Sequence, residues 1–451
     1  MNDNGLNNEA SVLGQEFNPI GLIKYALPTI IMMLFTSTAG IIDGLFVANF
    51  VNEHALASVN LVMPILLLLI ALSLMLATGS NALIGKLLGE GKNHEARQVM
   101  TLSYVVAIIF GLVVSTIAYL FSDQILSLIG ATDVLYPYAN AYFIACIPFC
   151  TCVLLQMFTQ CYFVTAGKPM IGFTACAIGS ITNIILDYLL IVHFDLGITG
   201  AALATCTAYS ISGLFGLIYF ATVRTGTLYL VKPNFDFKQL LQCLYNGISE
   251  FVNMVSLSIT LVLFNVILIE IAGESGVAGI SVIMYIQNIL LAVYMGYAMG
   301  VSPIISYKFG AKSYDQLKLI NVTSAKVITM LSIFIVVFVM LFAEILVGIF
   351  ISPDSETFAL TVNGLRIFST CFIFIGYNIY VTTMFTALSN GKISGILSLL
   401  RMLIFTVVPL VTLPFIIGIN GVWLAIPVAE VLGIFSTIYF LKKYRTTYNY
   451  Y

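Results

Sequence analysis

Six ionisable residues stand in stretches that are otherwise apolar: Asp43, Asp187, Glu250, Arg366, Arg401 and Glu430. In hydrocarbon such side chains are costly, and each is a functional hypothesis by default. Asp43 lies in STAGIIDGLFVAN and Asp187 in GSITNIILDYLLI, and neither segment holds a Lys or Arg. Asn183 precedes Asp187 by one helical turn and shares its face, and Thr205 lies early in the next apolar stretch. Two carboxylates, an amide and a hydroxyl form a set of oxygen ligands, the donors that hard cations select. Brought together, they suit a proton or Na⁺ alike. Glu250 is expected well inside a seventh apolar stretch and Glu430 midway along a twelfth. Either these acids draw a cationic ligand or they pair with Arg366 and Arg401. Tyr142, Tyr285 and Tyr377 are candidate cavity residues for aromatic or cationic ligands. Pro28 interrupts the stretch that carries Asp43, where a missing backbone hydrogen bond permits a kink.

Other chemistry is thinly represented. The eight cysteines lie mostly in apolar stretches without histidine partners, as packing residues do. His54, His94 and His193 are expected in loops. Gly89-Glu90-Gly91-Lys92 lacks the spacing and the Ser or Thr of a phosphate loop. No hydrolase triad or nucleotide motif is visible, so an enzyme is not expected, and neither is a cofactor. A net charge of −2 gives no case for nucleic acid.

The elements that must carry these residues are membrane helices. Of 451 residues 60% are hydrophobic and 8% charged, with mean hydropathy +1.04, against about 25% charged in soluble domains. About 20 apolar residues cross a bilayer core as a helix. Spans are expected near 20–48, 56–82, 98–121, 135–162, 169–192, 198–222, 239–270, 277–304, 319–342, 357–387, 394–418 and 421–441. Residues 1–18 are polar and lack the pattern of a secretory signal. Lys86, Lys92, Arg97, Lys168, Arg224, Lys232, Lys238, Lys308, Lys312, Lys318 and Lys392 fall in alternate connections. The opposite connections carry Glu53, Asp123, Asp133, Asp195, Glu274, Glu344, Asp354 and Glu356. Positive-inside bias then places both termini in the cytoplasm of a multi-pass cell-membrane protein.

The chain also repeats itself. ALASVNLVMPI (55–65) matches GVAGISVIMYI (276–286), KLLGEGKNHEA (86–96) lies over YKFGAKSYDQL (307–317), and FDLGITGAALA (194–204) over FIIGINGVWLA (415–425), each 221 residues on. An all-α integral membrane protein is expected, with twelve helices in two parallel six-helix lobes. The expected divisions are a polar N-terminus 1–18, an N-terminal lobe 19–225, a linker 226–238, a C-terminal lobe 239–441 and a basic C-terminus 442–451.

With these features in place, the sequence resembles the multidrug and toxic compound extrusion (MATE) family over about residues 19–440. The resemblance is carried by ALPTIIMMLFTSTAGIIDGLFVANF, GSNALIGKLLGEGKNHEA, TNIILDYLLI and GITGAALAT. It implies a two-lobed antiporter that exchanges H⁺ or Na⁺ for small organic cations by alternating access, with no obligate protein partner. It maps an N-lobe cation site onto Asp43, Asn183, Asp187 and Thr205, further polar N-lobe positions onto Tyr142 and Gln160, a bent first helix onto Pro28, and a seventh-helix acid onto Glu250. Some members carry a second C-lobe acid in the tenth helix. Here GLRIFSTCFIFIGYNIYVTTMFTAL has none, which favours the N lobe for the coupling ion. The rival readings are a flippase for lipid-linked or cell-envelope precursors and a non-transporting membrane sensor or scaffold. An anionic headgroup would favour a cavity rich in Lys and Arg, whereas four acids face two arginines in the spans.

Overall fold

Apolar length alone dictates the architecture. The computed structural model describes residues 12–51 and 53–450; residues 1–11, most of the expected polar N-terminus, lie outside the described residues, as do the side chains of Glu53, His54 and Glu274. Among the described residues eleven helices are long and apolar enough to span a membrane. They are α1 (Pro19–Val47), α2 (Ala57–Gly89), α3 (Asn93–Leu120), α4 (Tyr136–Thr165), α5 (Pro169–His193), α6 (Gly197–Thr222), α7 (Ile248–Gly273), α8 (Ser275–Gly310), α9 (Tyr314–Gly348), α11 (Gly391–Ile417) and α12 (Ile419–Tyr448). The twelfth span, α10, is a pair bent by 50°, Glu356–Ser369 with Phe372–Ala387. Local chemistry sets several starts. Asn18 accepts from the Gly21 amide at 2.7 Å ahead of Pro19, and Ser355 and Asn390 cap α10 and α11 in the same way.

The seventh span differs from expectation. Residues 237–246 form a separate amphipathic helix, Phe237–Asn246, and α7 begins only after Gly247. Close packing causes the break: a Cβ on Gly247 would fall 1.8 Å from the Met75 carbonyl oxygen of α2. Glu250 therefore occupies the first turn of α7 rather than mid-span. His94 opens α3 and His193 closes α5, so both lie at span ends rather than in free loops. The stretch before this helix is held against α3. Buried Arg97 donates from Nε to the Thr227 carbonyl (2.9 Å) and from Nη1 to the Tyr229 hydroxyl (2.7 Å), and it stacks on the Tyr229 ring.

The two lobes meet along a seam that obeys the sequence repeat. A Cβ on Gly89 would lie 2.0 Å from the Tyr307 carbonyl oxygen, and one on Gly310 would lie 2.1 Å from that of Lys86. The two contacts exchange under the 221-residue offset, which carries Gly89 onto Gly310 and Lys86 onto Tyr307. Gly85 meets Ser306, its own counterpart. Gly79 abuts Cys243 and Gly247, and its counterpart Gly300 abuts Ala26. The repeat is thus a two-fold relation in space, built on backbone-to-backbone approach that small residues permit. Pro28 lies inside this seam: Gly296 and Gly300 of α8 press on Ile30 and Ala26 at either side of it, and α1 continues through as one helix.

Both ends of the chain gather where the basic connections lie. Leu13 and Phe17 are buried, Lys308 donates to the Gly14 and Gln15 carbonyls (2.9 and 2.8 Å), and the Phe17 amide donates to Gln316. Val12 packs on Gly167, in the turn between α4 and α5. At the other terminus Asn321 of α9 donates to the Tyr450 carbonyl.

Candidate cation site

The N-terminal lobe encloses a cavity of about 180 Å³ between α1, α2, α4, α5 and α6. Its wall includes Asp43 of α1, Tyr142 and Gln156 of α4, Asn183 of α5, and Thr205 and Tyr209 of α6. Asp187 stands just behind Asn183 and is fully buried. The Asp43 carboxyl group approaches both the Asp187 carboxyl group and the Thr205 hydroxyl. The Asn183 amide donates toward Thr205 at 3.4 Å. Asp187 is the last residue of regular α-helix before a wide turn, Tyr188–His193. Such π-type turns are rare and concentrate at functional sites.

Hydrogen-bond supply is what marks this cluster. Asp43 Oδ1 and both carboxylate oxygens of Asp187 are buried without a donor among the described residues. Buried acceptors of this kind are uncommon and need an explanation. The oxygens fit a bound proton or a small hard cation, with Asn183 and Thr205 as neutral oxygen donors. No group of three or more His, Cys, Asp or Glu side chains suited to a metal occurs among the described residues.

The four residues expected to act together are therefore neighbours, with Tyr142 in the same wall. Gln160 is buried in α4 but is not among the lining residues. Gln156, one turn earlier, is, and its Oε1 also lacks a partner among the described residues. Sequence reasoning passed over Gln156 and Tyr209. Tyr209 follows Thr205 by one turn of α6, and that spacing was the available signal.

The remaining candidates separate. Glu430 of α12 is paired: Arg401 Nε donates to its two oxygens at 2.8 and 3.0 Å, and Asn378 donates at 2.7 Å. Thr437 in turn donates to Asn378. Arg401 is carried on a second wide turn, Leu399–Ile404, within α11. Arg366 serves neither expected acid. It pairs with Glu344 of α9 at 3.0 Å, where both are exposed. Glu250 stands beside Asn253 with Arg401 as the nearby opposite charge, and its Oε2 lacks a donor among the described residues. Tyr285 is exposed and stacks on Phe350, away from the cation cluster. Tyr377 lines a separate space in the C-terminal lobe.

Comparison with known proteins bears on the family and the fold. The MatE family model matches twice, over residues 28–189 and 250–411, once in each lobe. Multidrug export protein MepA of Staphylococcus saprophyticus is 25% identical over 418 residues, covering 91% of each chain. MepA of a Staphylococcus aureus strain is 26% identical over 417 residues, covering 91% of this chain and 90% of its own. A solved multidrug resistance MATE family transporter of the MOP superfamily, in an outward-facing conformation, superposes with TM-score 0.90 at 21% identity, covering 97% of this chain and 98% of its own. A mutant of the Vibrio cholerae MATE transporter VcmN gives 0.88 at 20% identity, over 98% and 99%. With its two lobes each matched by the same model, the chain belongs to the MatE family of multidrug and toxic compound extrusion proteins.

Proposed function

We propose that this protein is a secondary active antiporter that exports small organic cations in exchange for H⁺ or Na⁺, with Asp43 and Asp187 binding the coupling ion. The observation that carries the reading is the pair of apposed carboxyl groups, three of whose oxygens are buried without a hydrogen-bond partner among the described residues. Family membership and the export activity named for the staphylococcal relatives support it. Charge bias supports an orientation with both termini in the cytoplasm of the cell membrane.

The geometry suggests how exchange is enforced. The lobes are in backbone contact at the end that carries the termini, so that end is shut. An ion entering from the opposite side neutralises Asp43 and Asp187, with Asn183 and Thr205 completing its oxygen shell. Neutralisation weakens the hold of the N-terminal lobe on a cationic substrate, which leaves. The lobes then part along the α2–α8 contact to face inward. Coupling requires the two lobe arrangements to differ in their affinity for ion and substrate; tight binding alone shifts nothing. Glu250, unpaired at one oxygen, is a C-lobe candidate for drawing the cationic substrate, whereas the charge of Glu430 is already matched by Arg401.

The test is efflux of a fluorescent organic cation from proteoliposomes, with Na⁺ and pH gradients imposed separately. One gradient should drive export. Asp43→Asn and Asp187→Asn should each reduce it to the rate of empty vesicles while leaving membrane insertion intact. Coupled export that survives Asp187→Asn would overturn the assignment.

A further inference from the structure

A cavity larger than that of the cation site lies outside it and has no part in the exchange proposed above. It is a slot of about 620 Å³ in the C-terminal lobe, between α9, α10 and α12, within the size range of small-ligand sites. Its rim, Ile333, Val337, Ile373 and Ile438, is exposed on the surface that faces the bilayer. The slot is therefore open sideways to lipid.

Its chemistry restricts what can enter. Among the described residues no charged side chain lines it. The polar groups on its back wall are already used by one another. Tyr380 donates to Asn321 at 2.6 Å, Ser332 and the Tyr294 hydroxyl are 3.1 Å apart, Tyr377 bonds to Thr329 and the Ala325 carbonyl, and Thr437 donates to Asn378. A cation would find no counter-charge there, and a polar ligand no free partner. An aliphatic chain suits such a wall.

One end of the slot supplies a charge. The lining residues of α9 run in a stripe through Asn321, Ala325 and Thr329, and Lys318 extends that stripe by one turn toward the end that carries the termini. On α12 the stripe through Ile434, Ile438 and Leu441 continues into Lys442 and Arg445. All three basic side chains are exposed. Among the described residues of these three helices, the acidic side chain at this end is Asp315, on the first turn of α9. The C-terminal turn is tied to two lining residues at this end: Asn321 donates to the Tyr450 carbonyl, and the Tyr450 hydroxyl donates to the Leu441 carbonyl.

We infer that this slot is a binding site for an anionic phospholipid, which lays an acyl chain between α9, α10 and α12 and sets its phosphate on Lys318, Lys442 and Arg445. On the orientation proposed above, the lipid comes from the inner leaflet, where anionic headgroups meet clustered basic residues.

The probe is brominated phosphatidylglycerol against brominated phosphatidylcholine, in vesicles with the same composition in both leaflets. The readout is quenching of tryptophan fluorescence, which requires neither transport nor a fixed orientation and so separates this inference from the antiporter reading. Trp423, the one native tryptophan, is fully buried and supplies a constant background. Phe374→Trp places a reporter in the slot, with Ile373→Trp at its rim as a second should the first not insert. Phe334→Trp reports the general lipid surface, because Phe334 is exposed and outside the lining. The slot reporter should be quenched at a lower mole fraction of phosphatidylglycerol than of phosphatidylcholine, while Phe334→Trp treats the two alike. Adding K318Q and R445Q should reduce the preference by about fivefold for each charge removed. A slot reporter that behaves like Phe334→Trp, or a preference that survives K318Q/R445Q, would overturn the inference.

Discussion

At the scale of single residues, the buried acids divide by whether the protein answers their charge. Glu430 is answered by Arg401 and Asn378, and the pair is almost fully enclosed. Removing one member leaves an uncompensated buried charge, at a cost of about 3–5 kcal/mol. Glu430→Gln or Arg401→Met alone should therefore lower the thermal stability of the purified protein markedly, and the double substitution should recover much of the loss. Thermal unfolding in detergent across the four-variant cycle checks this; additive losses would mean that the two side chains do not act as a pair. Asp43 and Asp187 are the opposite case. Their Asn variants should insert and fold, and should fail only in coupled export. The sequence distinguished these cases in part. Asn183 and Asp187 one turn apart on one helix made that side of the candidate cluster legible, since periodicity fixes a shared face. The pairing of Arg366 was not legible, because Glu344 lies on a different helix and no sequence pattern selects it over Glu430. Gln156 was hidden similarly: the face of α4 that meets the cavity depends on how α4 rotates against α2 and α6.

At the scale of elements, the twelve spans were readable because each exceeds the length that crosses a bilayer; the caps Asn18, Ser355 and Asn390 emerge only from the structure. The start of α7 was not readable, since Phe237–Asn246 is apolar enough on one face to merge with it by hydropathy. Only contact with α2 explains the break at Gly247. The α2–α8 contact makes the sharpest prediction at this scale. A Cβ at Gly89 or Gly310 would sit about 2 Å from a carbonyl oxygen of the facing helix, so neither helix can keep its place. Gly89→Val and Gly310→Val should each destabilise the closed arrangement by about 1–3 kcal/mol, the range for overpacking. With cysteines placed at Lys86 and Tyr307, each Val substitution should reduce cross-linking by a short reagent and lower export. Undiminished cross-linking would show that the contact yields without parting.

At the scale of the whole molecule, the N-terminal segment bridges the two lobes. Val12 touches the α4–α5 turn, while Gly14, Gln15 and Phe17 bond to the ends of α8 and α9. Its contacts belong to the shut arrangement, because they need both lobes side by side. Deleting residues 1–17 should therefore weaken closure at that end without affecting insertion. The same cysteine pair should then cross-link more slowly, and Lys308, left without its carbonyl partners, should become more reactive toward amine reagents. Unchanged values in both measurements would leave the segment a passive tail. Composition and polarity marked residues 1–18 only as a solvated end; Leu13 and Phe17 gave no periodic signal, because so short a run of chain has none.

The reciprocal meeting of Gly89 with Tyr307 and of Gly310 with Lys86 has one further consequence. Each half presents to the other the same patch that it receives, which is the geometry of an isologous homodimer interface. The seam therefore has the form of an assembly contact between two six-helix polypeptides that a fusion later joined. The covalent join is then dispensable for recognition. Two separate polypeptides, divided in the extended stretch near residue 233, should find each other when co-expressed and co-purify as a one-to-one complex, and Gly89→Val should weaken that association. Failure of the wild-type halves to associate would mean that the tether, rather than the seam, holds the two together.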